Sequence, residues 1–185
     1  MSRADAGKVW TIGHSVRPWE EFVGMLIAAK IQSLADVRRF AGSRRNPHFS
    51  GEAMRADLAK EGIDYLPMPE LGGRRSASAA SRNLAWRNAG FRGYADYMMT
   101  PPYRDALENL AKLALHSRTA VMCAEAMWWQ CHRSLISDDL KASGWEVIHL
   151  LSPGREQEHP YTSAARIVDG RLDYTLPADP QASLF

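Results

Sequence analysis

Short apolar runs alternate with amphipathic stretches along this chain. Val9-Trp10-Thr11-Ile12-Gly13, Ile31 to Val37, Tyr65-Leu66-Pro67-Met68, Thr119-Ala120-Val121-Met122-Cys123 and Glu146 to Leu151 are brief and apolar. That is the pattern of strands buried on both faces of a parallel sheet. Pro67 and Pro69 push the third run towards a sheet edge, because proline cannot donate to a ladder. The intervening stretches keep helical spacing. Trp19, Phe22, Val23, Leu26 and Ile27 follow Pro18, with Glu20 and Glu21 near the positive helix end. Ser50 caps a helix carrying Met54 and Leu58, stopped at Gly62. Pro101 and Pro102 open a third, with Tyr103, Leu107, Leu110 and Ala114 on one stripe. A fourth runs from about His132 to Ser143, with Leu135, Ile136 and Leu140 inward and Gly144 ending it.

This alternation predicts a single α/β domain over residues 8–175, a mostly parallel sheet flanked by helices with right-handed crossovers. Arg166 to Leu172 predicts a small C-terminal β-hairpin, with Asp169-Gly170 in a type I′ turn. Residues 176–185 read as an exposed tail. Residues 72–90 interrupt the alternation as a long, polar, basic segment, and loops of that length are uncommon unless functional or disordered.

Composition adds little to the fold but sharpens the chemistry. With 185 residues, 45% apolar and 24% charged, the chain matches an ordinary globular domain. No apolar run approaches the length of a membrane span, and no apolar segment follows a positive start as in a signal peptide. Two cysteines, Cys123 and Cys131, make no disulfide framework, so reduced thiols and a cytoplasmic location are expected. The net charge of +2 conceals an uneven distribution: residues 36–92 hold eleven Lys and Arg against six Asp and Glu. Eighteen of the 23 basic residues are arginine, whose planar fork fits phosphate in bidentate fashion. DNA or a nucleotide is the partner this charge favours, and a solvated face with scattered salt bridges accounts for it equally well.

Ligands bind outside the carboxyl ends of strands in an open parallel sheet, and polar residues collect there. His14, Ser15 and Arg17 follow the first run; Asp36, Arg38, Arg39, Arg44 and Arg45 the second; Arg74 and Arg75 the third; Glu125, Trp128, Trp129, Cys131, His132 and Arg133 the fourth. Asp36 or Glu125 can serve as general base, His14 or His132 as proton carrier and Cys131 as nucleophile, since a helix start lowers a thiol pKa. Ser15, Arg17, Arg38, Arg39, Arg44, Arg45, Arg74, Arg75 and Arg133 are candidate phosphate binders, and Trp86, Trp128 and Trp129 candidate stacking platforms. Each has a plainer reading: Asp36 with Arg38 as a structural ion pair, the histidines as hydrogen-bonded polar residues, the tryptophans as packing. Cys123, Cys131 and His132 supply soft ligands with His14 as a conceivable fourth, but the two cysteines lack zinc-knuckle spacing and adjacent Cys131 and His132 should diverge, so no metal is assigned. No Walker or dinucleotide fingerprint occurs, and the sequence leaves the cofactor unknown.

Thr11-Ile12-Gly13-His14-Ser15, Asp36-Val37-Arg38-Arg39, Ser43-Arg44-Arg45-Asn46-Pro47, Leu71-Gly72-Gly73-Arg74, Phe91-Arg92-Gly93-Tyr94-Ala95 and Met122-Cys123-Ala124-Glu125 through Cys131-His132-Arg133 together resemble the bacterial domain of unknown function 488 family. The resemblance spans about residues 9 to 175. Ala41 stands where proline is expected, which affects only local loop rigidity. The resemblance implies a cytosolic protein and no defined reaction. Separately, Gln181-Ala182-Ser183-Leu184-Phe185 resembles the Gln-x-x-Leu-Phe peptide of bacterial sliding-clamp partners. Gln181, Leu184 and Phe185 would be its anchors. Three readings follow: a clamp-tethered DNA repair or processing enzyme, a non-catalytic DNA- or partner-binding accessory module, and a small-molecule enzyme with a Cys/His/Arg pocket.

Overall fold

A computed structural model describes residues 7–42 and 46–177. The strands are β1 (Lys8–Gly13), β2 (Ser33–Asp36), β3 (Asp64–Pro67), β4 (Thr119–Cys123), β5 (Glu146–Ser152) and β6 (Arg155–Glu158), in one sheet of order β3-β2-β4-β1-β5-β6. The first five pair in parallel, and β6 returns antiparallel along β5. The helices are α1 (Trp19–Ala28), α2 (Gly51–Lys60), α3 (Ala89–Tyr97), α4 (Pro101–His116) and α5 (Arg133–Ala142). A separate hairpin joins β7 (Arg166–Val168) to β8 (Arg171–Asp173), and Asp169 and Gly170 both take positive φ as a type I′ turn requires.

Side-chain alternation divides the core into two layers. Trp10, Ile12, Leu34, Ala120 and Met122 face α1 and α2, packing on Phe22, Leu26, Met54 and Leu58. Val9, Ala35, Val121 and Cys123 face the other way, onto Tyr94, Leu107, Leu110, Leu135 and Leu140 of α3, α4 and α5. The expected α/β architecture is therefore present, with β3 and its two prolines at the edge.

Two elements depart from the sequence reading. The end of the basic segment runs into a helix over residues 89–97, started by the Asn88 side chain, which accepts the Gly90 and Phe91 N–H groups. The part before it is tied down by Asp96, whose carboxylate accepts from Ser78 N, Ser81 Oγ and Asn83 Nδ2. The other is β6, whose Arg-Glu-Gln-Glu sequence is polar because an edge strand needs little burial.

A polar chain crosses the α5 side of the sheet. Thr11 Oγ1 lies 2.7 Å from His149 Nδ1, His149 Nε2 lies 2.9 Å from His159 Nδ1, and His159 Nε2 lies 3.0 Å from Asp138 Oδ1. Thr11, His149, His159 and Asp138 are all buried. Asp138 also accepts from Thr162 N, Thr162 Oγ1 and Tyr174 Oη, anchoring the segment that leads to the hairpin. Buried donors that lose their acceptor cost about 1–3 kcal/mol each. Asp138→Ala is therefore expected to lower unfolding free energy by at least about 3 kcal/mol. The urea midpoint measures this, and a loss within experimental error would show that the chain is not load-sharing.

Candidate functional site

The carboxyl ends of β2 and β4 open into a cavity of about 360 Å³, within the size range of small-molecule pockets. Arg38, Arg39, Phe40, Gly73, Arg74, Phe91, Tyr94, Cys123, Glu125, Cys131 and His132 are among its lining residues. Three chain segments meet at its floor: the end of β4, the turn into α5 and the glycine pair after β3. Each approach demands a missing side chain. A Cβ on Gly73 would lie 2.8 Å from His132 Nδ1, and one on Gly13 would lie 1.8 Å from the Glu125 carbonyl.

Cys123 Sγ, Cys131 Sγ and His132 Nδ1 lie within 4.8 Å of one another. His132 Nδ1 is 3.6 Å from Cys131 Sγ and 3.9 Å from Cys123 Sγ. The expectation that Cys131 and His132 diverge is thus overturned. Cys131 is extended (φ −135°, ψ 151°) and His132 helical (φ −57°, ψ −13°), and that change of backbone swings both side chains to one point. His132 Nε2 donates to the Val37 carbonyl at 3.1 Å, which leaves Nδ1 as the nitrogen facing the sulfurs. The two thiols differ. Its hydrogen bond to Cys131, followed by burial, pushes the Cys123 thiol well up. Burial acts against ionisation of Cys131 too, but the Cys123 hydrogen bond, the His132 imidazole and the Arg133 charge outweigh it and hold that thiol well down.

Beside this floor lies a closed network. Arg38 Nε and Nη2 pair with the Asp36 carboxylate, which also takes the Tyr65 hydroxyl. Arg38 Nη1 donates to Phe49 O and, at 3.2 Å, to His14 Nε2. His14 Nδ1 donates to Ser15 O at 2.9 Å. Burial, partly offset by the Ser15 hydrogen bond, lowers the His14 pKa to about 4, and the Arg38 charge lowers it further.

The candidate residues consequently separate. Arg39, Arg74, Glu125, Cys131 and His132 are brought together around the cavity, with Arg38 in its wall. The others are corrected by their contacts. Asp36, 1% exposed with both oxygens occupied, has no capacity left to act as a base. His14 is a neutral, doubly bonded ring rather than a proton carrier. Arg38 spends its guanidinium on Asp36, Phe49 and His14. Arg133, 1% exposed, donates to the Glu125 and Ala126 carbonyls and to Thr11 Oγ1, so it is no phosphate binder. Arg17 is held by Gly13 O, Glu21 and Leu151 O, and Arg75 by Gly72 O and the Tyr97 ring. Ser15 contributes backbone bonds and does not line the cavity. Trp86 packs on Phe91 and Tyr174, and Trp128 stacks on His149 at 4.5 Å, so neither ring is open to a base. Trp129 is half exposed against Trp128, outside the cavity lining. Arg44, Arg45, Gln181, Leu184 and Phe185 lie outside the described residues.

Phe40, Phe91 and Tyr94 are site residues that no signal for chemistry marked. Phe40 is 66% exposed at the rim, and an exposed aromatic directly after an arginine pair was the available clue. Tyr94 is buried against the His132 ring, with its hydroxyl donating to Leu71 O.

These features describe a layered α/β protein with a cavity at the carboxyl edge of a parallel sheet. The chain belongs to the family described as domain of unknown function DUF488, whose model matches residues 18–140. That span takes in the cavity lining from Arg38 to His132. No curated protein and no solved structure matches the chain. Among the described residues, no helix is long and apolar enough to cross a membrane.

The neutral histidines make stability pH-dependent in a defined direction. His14 (about 4) and His149 (about 2, chiefly through burial) are both depressed from 6.5. The unfolded chain therefore binds more protons below pH 6.5, and their contribution to stability falls as pH drops towards 4. Together they take up almost two protons on unfolding near pH 5, a slope of roughly 2.5 kcal/mol per pH unit. His14→Gln is expected to halve that slope. Urea midpoints between pH 7 and 5 check this, and an unaltered slope in the variant would refute it.

Proposed function

We propose that this protein is an enzyme acting on a nucleotide unit of a nucleic-acid strand, with phosphates on the arginine rim and the reacting group over the Cys123, Cys131 and His132 floor. One observation carries this reading. Arg39 and Arg74 are exposed at the rim of a cavity whose floor groups two thiols with an imidazole. Arg39 uses one nitrogen on Arg74 O, and the Arg74 guanidinium has no hydrogen-bond partner among the described residues. Cations left uncommitted beside a reactive floor suit a substrate that brings its own negative charge. Glu125, exposed and with a carboxylate uncommitted among the described residues, is a proton acceptor lining the same cavity. Phe40 and Phe91 offer the apolar faces against which a base would lie, as enzymes that act on an extruded nucleotide require.

The test is binding of single- and double-stranded oligonucleotides and of free nucleotides across a salt series. Wild type should show affinity falling steeply with salt, and the Arg39→Ala, Arg74→Ala double variant should lower the log–log slope by about 2. Both positions are exposed, so its stability should stay within about 0.5 kcal/mol of wild type. Salt-independent binding, or a double variant that binds as wild type, would overturn the reading.

The same reading extends to the C-terminal peptide, for which we propose docking on the bacterial sliding clamp through Gln181, Leu184 and Phe185. Replacing Leu184 and Phe185 by alanine should abolish co-elution with purified clamp and leave oligonucleotide binding unchanged. Retained co-elution would remove clamp docking from the proposal.

A further inference from the structure

The floor cluster gathers three electron-pair donors, two sulfurs and one nitrogen, about a single point. With Nε2–H given to Val37 O, His132 Nδ1 offers a single lone pair to two sulfurs at 3.6 and 3.9 Å. Cys131 Sγ, moreover, receives a backbone N–H from Arg133 at 3.5 Å. Two sulfurs, beside a nitrogen turned to accept, converge on a point where a cation belongs.

The dimensions agree. Tetrahedral zinc with bonds of about 2.3 Å to sulfur and about 2.0–2.1 Å to nitrogen separates its ligand atoms by roughly 3.5–3.8 Å. One sulfur–nitrogen separation, 3.6 Å, lies in that range and the other, 3.9 Å, just above it, with all three atoms within 4.8 Å of one another. A metal-bound histidine characteristically gives its other N–H to a carbonyl, which fixes the tautomer and the ring plane, and His132 does this with Val37. Gly73 lets the backbone pass against the imidazole, closing one side. Thiolate pairs also favour a soft, borderline cation over magnesium or calcium.

We propose that Cys123, Cys131 and His132 Nδ1 are three ligands of a zinc ion whose fourth position opens into the cavity and holds a water molecule. Three protein ligands and one exchangeable position are the arrangement of a catalytic rather than a structural zinc site. Zinc lowers the pKa of its water towards neutrality. Glu125, on the same wall, takes the proton: zinc-bound water and carboxylate become zinc-bound hydroxide and carboxylic acid, with charge and atoms conserved. Cys131 then acts as a ligand instead of attacking directly. The use of that hydroxide rests on the substrate reading above, whereas metal binding itself does not.

The experiment uses the full chain, purified without chelator and again after chelator treatment. Zinc content should be close to one per chain before treatment. Cobalt(II) added to the stripped protein should give the intense visible bands of a tetrahedral site and a sulfur-to-cobalt charge-transfer band. Cys123→Ser and His132→Ala should each weaken or abolish those bands. Should either unfold, as circular dichroism would reveal, His132→Cys keeps three ligands and should restore the tetrahedral spectrum with a stronger charge-transfer band. Glu125→Gln should bind the metal with unchanged stoichiometry. Absence of zinc together with only weak, octahedral cobalt spectra would overturn the proposal, as would spectra unaltered in Cys123→Ser. Tetrahedral cobalt without salt-dependent oligonucleotide binding would keep the metal site and refute the substrate, and the reverse outcome would refute the metal site alone.

Discussion

A buried cation with no carboxylate to neutralise it governs the layout of this protein. Arg133 is the largest fully buried side chain, 1% exposed. Taking such a charge out of water costs several kcal/mol unless its donors are met. No acidic side chain among the described residues meets them; the Glu125 and Ala126 carbonyls and Thr11 Oγ1 take the two terminal nitrogens, and Nε is left without a partner. That choice has a geometric consequence. Carbonyls can reach Arg133 only if the chain leaving β4 bends back over the end of β1, which it does across Gly13, where a side chain would collide with Glu125 O. The loop so bent carries Glu125 and delivers Cys131 beside Cys123. The guanidinium thus shapes the site without belonging to its lining, and it adds a positive field beneath two sulfurs.

Two saturated networks flank that loop, and together they explain why so few polar residues remain available for chemistry. On one side Asp36, Arg38, Tyr65 and His14 satisfy one another. On the other the Thr11, His149, His159 and Asp138 chain does the same and ends in the hairpin segment. A buried polar group is tolerable only when bonded, so depth beneath the sheet edge is also commitment. At the cavity and its rim, by contrast, Glu125, Arg74, most of Arg39 and the sulfur–imidazole cluster stay uncommitted among the described residues.

Legibility in the sequence follows the range of the forces involved. Strands and helices with a one-sided apolar stripe were readable, because burial periodicity is local. Helix α3 escaped because only Gly93, Tyr94 and Ala95 face inward and two glycines weaken its propensity. Strand β6 escaped because its pairing partner, not its own apolarity, defines it. The edge of the sheet where the site lies was also readable, since it needs only parallel topology. Individual roles were not. Whether Asp36 is a base or an anchor depends on Tyr65, 29 positions away. Whether Trp128 meets a base or a histidine depends on His149. Neither dependence leaves a trace in spacing.

The same distinction separates binding from chemistry within the cavity. Its floor is fixed from three sides: His132 lies against Gly73 and donates to Val37, Cys131 accepts from the start of α5, and Cys123 ends a fully buried strand. Such a floor pays no reorganisation when a ligand arrives, which is what a reacting centre requires. The rim is built differently. Arg39 and Phe40 are exposed past the end of β2, and Arg74 sits at φ 59° in an exposed loop. That left-handed conformation is strained for a residue with a Cβ, and strain of this kind persists at sites where it serves an arrangement. Here it sets an arginine, with no partner of its own, at the mouth of a rigid floor. Long exposed arginines adapt to the position of a phosphate while the atoms below hold still. Specificity for the reacting group therefore belongs to the floor, and affinity for the charged remainder of the substrate to the rim.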